Sequence, residues 1–300
     1  MKKILVTGAN GLLGQQLISR LGAGGYRILA AGRGVARIAF EGAVEYHSVD
    51  LTDFPSVRQL IKTESPDLIV HAAAMTQVDE CELNRESSRL INVSATANLL
   101  EAAAGCRAHF IFLSTDFVFD GAKGNYREDD ETRPVNWYGE TKLMGEQLVG
   151  DYPGLWSIAR TCLLYGIISG SSRSKIISWI ISSLKKNQHI RVVNDQVRTP
   201  TLASDFAKGI QLIIEKQAPG CFHLSGREIM TPYQLAMEAA DYFSLDKSLI
   251  EAVDARSFSQ PGQRPLKTGF VIEKAERLLG FSPVDLQAGL KSLGDRFSLL

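Results

Sequence analysis

The chain has 300 residues, 45% of them hydrophobic and 22% charged, and its 33 basic and 33 acidic side chains leave a formal net charge of zero. That length supports a large core, and the charge balance argues against nucleic acid or an acidic membrane surface as a partner. No apolar run approaches the length of a membrane span. The start, Met1-Lys2-Lys3 before Ile4-Leu5-Val6, has only the opening of a signal peptide, because Gly8, Asn10, Gly11 and Gly14 interrupt the apolar stretch. Cys81, Cys106, Cys162 and Cys221 lie far apart without metal-ligand spacing, and three of them fall in apolar segments that suit a buried free thiol. The chain reads as cytoplasmic and free of metal.

Strand and helix alternate through the first half. Residues 3–7 predict a strand and 12–21 a helix, 27–31 and 44–49 two further strands, and 54–63 a helix capped by Thr52 or Asp53. A compact strand at 67–70 follows Pro66, then one long helix over 85–104 and a buried strand over 109–113. Residues 116–135 are polar and rich in Gly, Asp and Glu, a loop long enough to suggest a functional reason. A helix at 137–149 and a strand at 156–161 follow. Beyond Ser169 the pattern loosens into a helix at 175–184, a strand at 190–193, a helix after Ser204, a strand near 221–224 and three more helical stretches. The alternation predicts an α/β fold with a doubly wound parallel sheet of Rossmann type. Residues 1–168 form the expected nucleotide-binding domain, and 169–300 a smaller α/β lobe, partly interwoven with it.

Thr7-Gly8-Ala9-Asn10-Gly11-Leu12-Leu13-Gly14 follows a strand and opens a helix, the context a dinucleotide loop requires. Gly8 permits the tight turn, Gly11 lets backbone amides approach a pyrophosphate, and Gly14 allows close helix packing. Phosphates would then lie at a helix N-terminus, where free N–H groups favour negative charge. A glycine-rich βα turn without a ligand shares the pattern. The second strand ends Ala30-Ala31-Gly32-Arg33, with no acid to meet a ribose hydroxyl. Because a guanidinium pairs bidentately with a 2′-phosphate, Arg33 favours NADPH and leaves NADH open. Asp50 and Leu51 are placed to meet the adenine edge. Ala72, Ala73 and Ala74 are small enough for a strand end lying against a flat cofactor, and His71 reads as a hydrogen-bonded structural histidine.

Tyr138 and Lys142 are four residues apart, on one face of a helix, and Ser114-Thr115 ends a strand at the sheet edge where ligands bind. A hydroxyl, a phenol and an ammonium suffice for carbonyl reduction, in which the oxygen receiving negative charge needs a proton. The expectation is that Lys142 and a positive nicotinamide lower the Tyr138 pKa while Thr115 holds the carbonyl oxygen. Tyr138 and Lys142 also belong in any cofactor site this pattern builds. The acidic run Asp129-Asp130-Glu131 reads as a solvated loop rather than a metal site.

Several segments resemble the dTDP-4-dehydrorhamnose reductase family. They are Ser114-Thr115-Asp116-Phe117-Val118-Phe119-Asp120-Gly121, Ala72-Ala73-Ala74-Met75-Thr76-Gln77-Val78-Asp79, Tyr138 to Glu146, Asn194 to Thr201, and Gln263-Arg264-Pro265-Leu266. The resemblance spans nearly the whole chain. It implies reduction of the C4 ketone of dTDP-4-dehydro-6-deoxy-L-mannose to dTDP-L-rhamnose, with Thr115, Tyr138 and Lys142 catalytic and Thr76, Asp116, Phe117 and Arg198 at the substrate. Family members commonly carry Tyr where this chain has Phe117, and often Trp where it has Leu163. Other nucleotide-sugar reductases or epimerases share the scaffold. Arg160-Thr161-Cys162-Leu163-Leu164-Tyr165-Gly166 is similar as well to the regulatory β subunit of methionine adenosyltransferase, so a non-catalytic reading stays open. A homodimer is compatible with the sequence, which does not fix oligomeric state.

Overall fold

The computed structural model describes residues 1–37, 39, 42–167 and 176–297, with side chains as far as residue 294. Its strands are β1 (Lys3–Thr7), β2 (Arg27–Gly32), β3 (Val44–Ser48), β4 (Leu68–His71), β5 (His109–Thr115), β6 (Trp156–Thr161), β7 (Leu164–Tyr165), β8 (Ile190–Val193), β9 (Thr201–Leu202), β10 (Gly220–His223) and β11 (Ile250–Val253). Its helices are α1 (Leu12–Ala23), α2 (Phe54–Glu64), α3 (Val78–Leu83), α4 (Arg85–Arg89), α5 (Ala95–Cys106), α6 (Trp137–Gly150), α7 (Ile176–Lys185), α8 (Ala203–Lys216), α9 (Pro232–Tyr242), α10 (Glu273–Leu279) and α11 (Leu286–Phe297).

Seven strands form one sheet in the order β3-β2-β1-β4-β5-β6-β10. Every neighbouring pair is parallel. The chain runs outward from β1 through β2 to β3, then resumes at β4 on the other side. A crevice therefore opens between β1 and β4, at the carboxyl ends of the strands.

Alternate residues of each strand enter opposite cores. Ile4, Val6, Ala30, Val70 and Ile111 pack with Leu17 and Leu21 of α1 and Phe206 and Ile210 of α8. Leu5, Leu29, Ile69, Phe110 and Phe112 face the other way, against Val57 and Ile61 of α2, Leu99 of α5 and Val149 of α6. A period of two on a sheet covered on both faces produces this division.

The later chain has cores of its own: Ile177 and Ile181 of α7 meet Leu235, Leu286 and Leu290, while Val192 and Ile250 of the small parallel sheet β8–β11 pack on Ala236 and Ala240 of α9. The same stretch returns α8 and β10 to the main domain. The division expected at 168/169 and the helix start expected at 175 lie outside the described residues. No helix among the described residues is long and apolar enough to cross a membrane.

The expected single helix over 85–104 is instead α4, a π-helical turn (Leu90–Ser94) and α5. The widened turn carries the buried Asn92, whose side chain accepts from Met75 N at 2.8 Å and donates to Met75 O and Thr141 Oγ1 at 3.0 Å each. This bulge at a helix-to-site junction ties the segment after β4 to α6.

Candidate active site

The glycine loop from Gly8 to Gly14 joins β1 to α1. Gly8 has φ +73°, and a Cβ there would lie 2.9 Å from the backbone of Ala72 and Ala73. Gly14 packs so tightly on Gly8 that a Cβ would collide with the Gly8 carbonyl, so its lack of a side chain brings helix against loop. Gly11 caps α1 with no side-chain hydrogen bond, and the first turn holds no acid. Leu12 and Leu13 follow, Leu12 buried and Leu13 packed against the core. Ala9 N and Gly11 N are bonded to Ala31 O and Gly8 O, which sets the turn so that the N-terminus of α1 faces the crevice, and a helix N-terminus approached over a loop closed to Cβ atoms fits a dinucleotide pyrophosphate.

Asn10 Nδ2 donates to Tyr46 Oη at 2.9 Å, Val35 O at 3.1 Å and Arg33 O at 3.3 Å, while Asn10 Oδ1 accepts from Arg37 N at 3.0 Å. The side chain thus pins the turn after β2 over the crevice. Arg33 is exposed, its guanidinium 3.9 Å from the Asp50 carboxylate. Asp50 Oδ1 also accepts from Thr52 N and Oγ1, which hold its carboxyl below the usual range. Leu51 packs against the second core.

Ala72 N and Ala73 N each donate to Thr7 Oγ1 at 3.1 Å. That hydroxyl lies 2.8 Å from His71 Nδ1, and His71 Nε2 is 3.0 Å from Thr96 Oγ1. Because Thr96 Oγ1 donates to Asn92 O at 2.8 Å, the consistent assignment has Nε2 carrying the proton and Nδ1 accepting from Thr7. Burial, with Lys142 nearby, pushes His71 down to about 3 and keeps the ring neutral. His71 therefore braces the Ala72–Ala74 segment. Thr76 lies exposed just beyond it.

Across the crevice, Asn136 caps α6 by accepting from Gly139 N at 2.8 Å, and its amide donates to Gln263 O at 2.7 Å. Tyr138 lies beside Thr115, and the Phe117 ring meets Tyr138 edge-on at 6.0 Å. Lys142 is buried with its Nζ 3.9 Å from the Phe112 ring centroid. Burial raises the Tyr138 phenol above its ordinary value, and burial likewise lowers Lys142 to about 7 against the pull of Glu146. The expected lowering of the Tyr138 pKa is thus reversed by the protein's own groups: desolvation, with the Asp116 charge acting in the same direction, outweighs the lowering effect of Thr115.

The structure brings Thr115, Asp116, Phe117, Tyr138 and Lys142 together. Arg198 lies beside them, its guanidinium 5.5 Å from the Phe117 ring, but buried and bonded to Val197, Leu266 and Pro265 carbonyls and to Gln196. Arg264 pairs through both terminal nitrogens with Asp79 at 2.5 and 2.6 Å. Leu163 adopts φ +38° where the chain leaves β6, packed between the main core and the lobe. The sequence reading missed Asn92 and Asn136; a lone polar residue in an apolar helical stretch and an Asn before a helix were the available signals.

This arrangement, a doubly wound sheet with a glycine loop and a Tyr–Lys helix beside a strand-end hydroxyl, defines the extended short-chain dehydrogenase/reductase class. The family model described as RmlD substrate binding domain matches residues 1–299. The chain therefore belongs to the dTDP-4-dehydrorhamnose reductase family of oxidoreductases. It is 31% identical over 297 residues, 98% of this chain and 97% of the relative, to the probable low-salt glycan biosynthesis reductase Agl14 of Haloferax volcanii. It is 34% identical over 257 residues, 84% of this chain and 75% of the relative, to methionine adenosyltransferase 2 subunit beta of Xenopus laevis. The crystal structure of dTDP-4-dehydrorhamnose reductase from Bacillus anthracis in complex with NADP superposes with a TM-score of 0.86 at 27% identity, covering 99% of this chain and 100% of that one.

Proposed function

We propose that the protein reduces the C4 ketone of dTDP-4-dehydro-6-deoxy-L-mannose to dTDP-L-rhamnose with NADPH in the cytoplasm. The convergence of Thr115, Tyr138 and Lys142 beside the glycine loop is the observation that carries this reading. Residues 1–168 serve as the cofactor domain and 169–300 as the interwoven substrate lobe. Gly8, Asn10, Gly11, Leu12, Leu13 and Gly14 hold the pyrophosphate side, Arg33 the 2′-phosphate, Asp50 and Leu51 the adenine, and Ala72, Ala73 and Ala74 the flat face. NADPH, when bound, supplies the hydride and leaves a positive ring. Tyr138 gives its phenolic proton to the C4 oxygen, so that ketone, hydride and proton become an alcohol. Thr115 orients that exchange, and Lys142 stabilises the phenolate that remains. Thr76 and Phe117 face the sugar.

The test is NADPH oxidation with enzymatically prepared keto-sugar, repeated with NADH. Turnover that prefers NADPH is the expected result, whereas NADPH binding without turnover contradicts the rhamnose assignment. The likeness to the methionine adenosyltransferase subunit supports a second, regulatory reading. Co-purification with an adenosyltransferase together with absent keto-sugar turnover favours it.

A further inference from the structure

Asp116 is held by four neighbouring groups at the sheet edge. Its Oδ2 is approached from three separate elements: Thr268 Oγ1 donates to it in a short bond, Cys162 Sγ donates at 3.3 Å, and Arg198 Nε lies 3.6 Å away. Its Oδ1 accepts from Thr115 Oγ1 at 3.1 Å. The carboxyl is 4% exposed, and burial raises its pKa against the opposing pull of Arg198, Thr268, Cys162 and Thr115. Cys162 is raised as well, which keeps it a thiol donor. Thr115 Oγ1 also accepts from Phe117 N at 3.2 Å.

Two donors and a neighbouring cation on one oxygen fix the rotation of the carboxyl group, leaving the other oxygen to fix the Thr115 hydroxyl. Thr268 N donates to Val197 O at 3.0 Å, Val197 N to Leu266 O at 2.6 Å, and Lys267 N to Gly121 O at 2.9 Å. Thr268 is therefore seated only when the segment around residues 262–270 is docked on the sheet edge, and that segment also holds Arg198 through the Pro265 and Leu266 carbonyls. With both oxygens occupied internally, the carboxyl group has its hydrogen bonds without a sugar.

We propose that Asp116 is a positioning residue, clamped by Thr268, Cys162 and Arg198, that holds the Thr115 hydroxyl in register with Tyr138 and so couples docking of the C-terminal segment to formation of the active site. This rests on the reading of Thr115 as the hydroxyl beside the reacting oxygen. Removing a single donor is expected to misdirect that hydroxyl.

The test compares Asp116→Asn, Thr268→Val and Thr268→Ser with the wild type, by kcat and KM for NADPH and keto-sugar and by crystal structures. Asp116→Asn is expected to lower kcat by about 100-fold with the sugar KM nearly unchanged, the scale of a misplaced reacting group. Thr268→Val should lower kcat by about 10-fold and turn the Thr115 side chain from its rotamer, and Thr268→Ser should restore both. A raised sugar KM at unchanged kcat in Asp116→Asn would make Asp116 a substrate contact and overturn the proposal. An unmoved Thr115 in Asp116→Asn and Thr268→Val would overturn it too. If the wild type does not turn over the keto-sugar, the functional reading fails alone, and the Thr115 rotamer still decides this one.

Discussion

Around the turn from Gly8 to Gly14 the chain packs backbone against backbone, whereas across the carboxyl ends of β5 and β6 it buries carboxylates and guanidinium groups. On the first side the critical property is the absence of a side chain: a Cβ on Gly8 would sit 2.9 Å from the Ala72 and Ala73 backbone. On the second side it is the presence of a partner. Arg160 donates to both Glu146 oxygens, at 2.9 and 2.6 Å, with both side chains 6% exposed, and Arg198 stands beside Asp116. The glycine-loop side should therefore fail when atoms are added and the β5–β6 side when they are removed.

The largest effect is expected from Arg160→Met, which strands the buried Glu146 carboxylate. Chemical denaturation should show a loss of about 3–5 kcal/mol, with most of it recovered in Glu146→Gln/Arg160→Met. Equal destabilisation in single and double variants would break the comparison. Gly8→Ala comes next. Added strain at a positive φ and a clash with the β4 end should weaken NADPH binding about 100-fold or more by fluorescence titration. Unchanged affinity would place the cofactor elsewhere.

A smaller effect concerns Lys142, which belongs to both sides. Burial depresses it from 10.5 to about 7. Between those values the unfolded chain holds a proton that the folded chain lacks, so this residue makes stability rise with pH across that window. The full cost of burying it is felt below about pH 7. Lys142→Met should therefore raise the Tm of the cofactor-free protein by about 2 °C or more at pH 6. That gain should disappear as the pH reaches 10.5. A Tm difference independent of pH would assign the effect to packing.

The same contrast explains what the sequence disclosed. The glycine loop is local: strand, turn and helix are contiguous from Lys3 to Ala23, so spacing alone located it. Tyr138 and Lys142 were equally legible, being one helical turn apart. The surroundings of Asp116 were not, because Thr268 lies 152 positions away and no periodicity reports such a contact. Asn92 was hidden for another reason. Its π turn has the composition of ordinary helix, and its value lies in the extra reach towards Met75 and Thr141. The strands β7 and β9 were overlooked because two residues carry too little alternation to stand out, and β11 was overlooked within a stretch read as helical.

The central claim is that Tyr138 delivers the proton that completes carbonyl reduction, and Tyr138→Phe tests it most directly. NADPH consumption with keto-sugar should fall by about 100-fold or more in this variant. NADPH affinity, read by fluorescence, should stay within a few-fold of the wild type. Retained turnover in the variant would contradict the claim and move the proton donor to another group at the sheet edge.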